Sequence, residues 1–138
     1  MSLQLSQDAT STAGVLLLSL LAVEWGGAFL LRVAQGDVEA TDVQRRLYRA
    51  GHAHAGVLVT LGLLTVLFTE ASGLTGVLAT VARSGVPVAA ILMSGGFFLA
   101  AAGRGRTRAR PAGVVLVVVG ALCLAAGAGT LGVALLLA

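Results

Sequence analysis

A chain of 138 residues holds one domain, and this one is 57% apolar with only 11% charged residues, less than half the charged share of a soluble domain. That balance excludes an ordinary soluble globule, because its long apolar segments would leave almost no polar surface to meet water. The net charge of +3 does not indicate nucleic acid, since the basic residues are gathered in two short loops rather than along one face.

Four apolar runs stand out, near 13–34, 50–69, 86–103 and 112–137, and a spanning helix needs about 20 such residues. The sequence therefore reads as all-α: an integral membrane four-helix bundle. Residues 1–12 form an exterior tail and 13–138 a single transmembrane domain, with spans near 13–34, 42–70, 86–103 and 112–137. All nine basic residues are Arg, and eight of them (Arg32, Arg45, Arg46, Arg49, Arg104, Arg106, Arg108 and Arg110) lie in or beside the first and third loops. These loops share a side of the membrane, which the positive-inside bias makes the cytoplasm, so both termini are expected outside. The expected location is the plasma membrane of a prokaryote-like cell.

In chain order, the Ser/Thr-rich residues 1–12 carry no Arg or Lys and include Asp8, which argues against a cleavable signal peptide. The first span holds Glu24, followed by Trp25, Gly26 and Gly27. A carboxylate at that depth costs ~2.5–3.5 kcal/mol on insertion scales, so Glu24 is expected to face the bundle interior and find a partner there. Arg32 lies near the cytoplasmic interface, where it can snorkel. After a short loop, Thr41-Asp42-Val43-Gln44 matches a capping box, which starts the second helix near Asp42, well before its apolar run. That helix carries Arg45, Arg46 and Arg49 in its first turns, then His52 and His54 at the cytoplasmic edge, and ends at Glu70-Ala71-Ser72-Gly73.

Leu74 to Ser84 is expected to form a short interfacial helix, with Pro87 in the first turn of the third span and Pro111 in that of the fourth. Gly113, Gly120 and Gly127 recur every seven residues, a stripe that permits close helix packing. Cys123, the lone cysteine, has no disulfide partner within the chain and reads as a packing residue.

The stretch Arg49-Ala50-Gly51-His52-Ala53-His54-Ala55-Gly56 holds the only two histidines. On a helix they lie about 200° apart, so they reach one metal together only if the helix is distorted. One face carries Arg49, His52, Gly56 and Thr60, the other Ala50, Gly51, His54, Leu58, Leu61 and Thr65. Histidine can carry a proton, ligate haem or a metal, or hydrogen-bond a ligand. The candidate site is therefore His52 and Glu24 for chemistry, Arg49, His52, His54 and Thr60 for ligand binding, and His52 with His54 for a metal. Haem, copper and iron are the cofactors this donor set could serve. His52 is expected to face a cavity with Arg49, and His54 to touch a neighbouring helix.

Four spans, a cytoplasmic first loop and a histidine motif opening the second span resemble the membrane-associated proteins in eicosanoid and glutathione metabolism (the MAPEG family). Their second span carries R-x-H-x-N-x-x-E-x-x-P. Here His52 falls on the His, His54 on the Asn, and Glu70 on an acid at the helix end. The family's Arg falls on Ala50, with Arg49 one residue early, its Glu on Val57 and its Pro on Thr60. The Arg and Glu positions are the ones that family uses for glutathione, so the resemblance implies a four-helix bundle and a trimer but not glutathione chemistry.

Three functions fit these residues. The first is a membrane-embedded enzyme or binder for a small lipophilic molecule at the His/Arg site. The second is a proton-coupled small transporter, because four short spans with one acid in the first resemble small multidrug exporters. The third is a non-catalytic partner subunit, in which Glu24 and the histidines fix helix contacts.

Overall fold

The computed structural model describes residues 5–138. Among these residues the chain forms four α-helices, α1 (Gln7–Gln35), α2 (Asp42–Ala71), α3 (Gly76–Ala101) and α4 (Pro111–Leu137). All four are long and apolar enough to cross a bilayer. At 1.5 Å per residue even the shortest measures ~39 Å, against ~30 Å for a hydrocarbon core.

The helix ends follow from local chemistry. Ser6 caps α1 by accepting a hydrogen bond from the Ala9 N–H at 3.2 Å. Residues 7–12, expected to be tail, therefore belong to the helix. Their hydroxyls do not prevent this, because Thr10 and Thr12 bond the carbonyls of Ser6 and Asp8 one turn back. Residues 1–4 of the expected tail lie outside the described residues. Gly36, at φ 87°, stops α1: it adopts the left-handed conformation while the Asp37 N–H reaches the Arg32 carbonyl, a Schellman arrangement.

The capping box of α2 is present with both arms, Thr41 and Gln44 each bonding the other's backbone. α4 begins at Pro111, where the missing N–H would have had no partner.

α3 departs from expectation. It starts at Gly76, not near 86, and Pro87 lies in its interior rather than its first turn. No stop signal separates Gly76 from Ser84, so the expected interfacial helix and the third span are continuous. Pro87 removes one N–H from the ladder at the Arg83 carbonyl, beside Gly85, where α4 crosses closely.

Successive helices pack as neighbours, α2 also touches α4, and α1 and α4 share no substantial contact. The tightest seam joins α3 and α4. Gly113 sits against Gly96 and Ala100, Gly120 against Met93, and Gly127 against Gly85, so the seven-residue stripe is a packing face. α1 is held more loosely, burying only Ala9, Leu16 and Val33. At the end away from the arginine-rich loops, Glu70 accepts from Arg83 Nη2 at 2.6 Å and from the Ser6 N–H at 2.7 Å, which ties α1, α2 and α3 together.

A Cβ on Gly127 would lie 2.8 Å from the Gly85 Cα, whereas one on Gly129 would meet nothing within 4 Å. Gly127→Ala is expected to destabilise the fold by ~1–3 kcal/mol, and Gly129→Ala not at all. Thermal unfolding in detergent distinguishes them, and equal effects would contradict the seam.

Candidate functional site

The rotational setting of α2 positions both histidines. Gln44 is only 3% exposed. Its amide nitrogen donates to the carbonyls of Ala101 and Gly103 at 2.9 and 2.6 Å, and its amide oxygen accepts from the Thr41 N–H at 3.1 Å. Thr41 in turn donates its hydroxyl to the Arg106 carbonyl. These bonds tie the first and third loops together and place eight arginines against three acids at one end of the molecule. Gly51, Leu58, Gly62, Val66 and Thr69, all buried, lie within about 40° of Gln44 around the helix axis. His52 and His54 flank this inward stripe at about 80° on either side.

His52 turns to α1. Its ring lies over the Gly26-Gly27 step, where a Cβ on Gly26 would come within 3.3 Å of Nδ1 and one on Gly27 within 3.4 Å of Cε1. The two glycines thus make room for an imidazole between helices. His52 also lines two cavities. The first, about 270 Å³, is an apolar groove between α1, α2 and α3, with Val15, Leu16, Val23, Ala55, Ala90 and Phe98 among its walls. The second, about 630 Å³, lies at the arginine-rich end between α1 and α2, lined by Arg45, Arg49 and His52 on α2 and by Leu30 and Leu31 on α1. The structure therefore brings His52 and Arg49 to one cavity, together with Arg45.

His54 turns the other way, its ring centroid 4.8 Å from that of Phe97 on α3. Its Nδ1 lies 2.8 Å from the Ala50 carbonyl, which can only accept, so Nδ1 carries the proton. The two imidazoles face different helices and do not converge on a shared metal position. Among the described residues no group of three His, Cys, Asp or Glu side chains could hold a metal ion. Each histidine alone offers one nitrogen donor to haem or a metal.

The remaining candidates lie elsewhere. Thr60 is exposed and bonds the Gly56 carbonyl of its own helix at 2.9 Å, about 80° outward from His52. Glu24, expected inside, is exposed. The inward face of α1 is set by Leu16, Val23, Gly26 and Val33, and Glu24 lies about 200° around the axis from Gly26. Its neighbour Trp25 is 83% exposed. Glu24 thus shares neither cavity with His52.

Sequence reasoning missed Arg45, whose place on the His52 face follows from its seven-residue spacing. It also missed an aromatic chain, Phe29–Tyr48–Phe98, with centroid separations of 5.1 and 5.9 Å, linking α1, α2 and α3 near the site.

Nitrogen-15 NMR of labelled protein is expected to find neutral His54 protonated at Nδ1, and loss of that proton from Nδ1 would contradict the geometry. Comparison with known proteins adds no relative: no family model, no curated protein and no solved structure matches the chain.

Proposed function

We propose that this is a multi-pass membrane protein that binds a small lipophilic molecule in the groove between α1, α2 and α3, with His52 and Arg49 as polar contacts at one end. The observation that carries this reading is the position of His52, shared by an apolar groove and an arginine-lined cavity. Concave apolar sites with a few placed polar groups are the usual form of small-molecule sites. The outward residues Leu17, Leu18, Leu21, Val115 and Leu122 are exposed, which suits contact with acyl chains. The positive-inside rule then assigns the arginine-rich end to the cytoplasm and both termini to the outside, in a plasma membrane of the prokaryotic type. If the molecule is transformed, His52 is the side chain that reaches both cavities and so can act on it. A haem, copper or iron cofactor would take one histidine, not both.

Native mass spectrometry from mild detergent tests the reading. The wild type is expected to retain a small apolar ligand. Ala55→Phe, which fills the groove, and His52→Ala are expected to lose it, while His54→Ala, directed at Phe97, keeps it. Retention unaffected by Ala55→Phe would contradict the groove.

A second reading concerns Glu24 and rests on its exposure beside Trp25. A carboxylate facing hydrocarbon is costly, ~2.5–3.5 kcal/mol on insertion scales, and contact with a second copy through α1 would remove that cost. This favours a homo-oligomer, a trimer by the resemblance above, over a transport pathway inside one subunit. Trp25→Cys in a Cys123→Ala background is expected to form an interchain disulfide in native membranes. A product that stays monomeric under oxidation would contradict assembly through this face.

A further inference from the structure

We infer that the ligand of the His52 groove is an anionic amphiphile, an acidic headgroup on an acyl-type chain, with its head between Arg45 and Arg49 and its tail along α1. This rests on the groove reading and adds the chemical class and orientation of what is bound.

Arg45, Arg49 and His52 occupy successive turns of one face of α2, and all three line the 630 Å³ cavity. No carboxylate lines it. Arg49 has no ion-pair partner among the described residues. Asp42 is the acid nearest Arg45, its Oδ1 3.8 Å from Nε, too far for a hydrogen bond. That Nε is nevertheless buried and has no acceptor. A buried N–H donor without a partner is costly, and a bound acid supplies what is missing. Guanidinium groups are suited to carboxylate and phosphate oxygens, which they can bind through two parallel hydrogen bonds. A cationic headgroup would be repelled, and a neutral one would leave the Arg49 charge unanswered.

The tail follows from the apolar groove. Its α1 wall runs from Thr12 to Gly26, roughly 21 Å at 1.5 Å per residue, longer than one leaflet's share, about half, of a ~30 Å hydrocarbon core. His52 stands where the apolar groove meets the cationic cavity, at the junction of chain and head. The same chemistry is offered by a free single-chain acid and by an anionic phospholipid of the bilayer.

The test is competitive binding to the full-length protein in neutral detergent, read by native mass spectrometry, using hexadecanoic acid, hexadecanol, phosphatidylglycerol and phosphatidylcholine. The acid is expected to bind about tenfold or more tightly than the alcohol, the scale of a charge-assisted hydrogen bond. In an Arg45→Gln, Arg49→Gln double variant the acid-to-alcohol ratio should fall toward one. Arg46→Gln, an exposed arginine off this face, should leave the ratio unchanged. Preference for phosphatidylglycerol over both phosphatidylcholine and the free acid supports the inference with a bilayer lipid as the source, and preference for the free acid supports it with a single-chain ligand. Equal binding of acid and alcohol by the wild type, or a ratio insensitive to the double variant, overturns the inference while leaving the groove reading intact. Failure of all four probes to bind overturns both.

Discussion

The arrangement depends on the buried amide of Gln44. A side chain this polar is buried at a cost unless its donors and acceptors are met, and here the Ala101 and Gly103 carbonyls and the Thr41 N–H meet them. Those bonds leave α2 little freedom to rotate about its axis. Every later residue on the helix inherits that setting. Gly51 is turned to Phe97 and Phe98, His52 to α1, and His54 to α3. A rotation large enough to turn His52 away from α1, or His54 away from α3, would break the Gln44 bonds and turn the apolar stripe from Leu58 to Val66 out of the core.

Packing around α2 is uneven, and the site lies where it is loosest. α3 and α4 meet through glycines, with backbones close enough that a methyl group at Gly113, Gly120 or Gly127 would collide. α1 has no such seam. It lies against α2 with larger side chains and leaves a gap toward α3, which is the groove. At Gly26 and Gly27 α1 has no side chain in the way, and there the imidazole of His52 fills the space. The helices that close tightly provide a rigid wall, and the helix that does not provides an opening.

Much of this was legible in the sequence, for reasons that differ by residue. Thr41 and Gln44 form a local motif whose geometry is complete within four residues, so the start of α2 could be read directly. The opposed directions of His52 and His54 follow from 100° per residue, and the recurrence of Gly113, Gly120 and Gly127 reports a packing face in the same way. The start of α3 was misplaced because proline is more often a boundary than an interior residue, and nothing local marks Pro87 as tolerated. Glu24 was misplaced because its direction depends on which face of α1 meets α2, a choice made by Leu16, Val23 and Gly26 together. Arg45 was overlooked because arginines in loops beside apolar spans read first as topology signals, and only the cavity separates it from Arg46.

The central claim is that a lipophilic molecule lies along α1 with one end at His52. Photo-crosslinking with a diazirine placed at the far end of an acyl chain tests it most directly, with the labelled residues mapped by peptide mass spectrometry. The account predicts label on groove residues such as Thr12, Val15, Leu16 and Ile91, removed by excess unlabelled ligand. Label spread over the outer faces of α1 and α4 and insensitive to competition would contradict it.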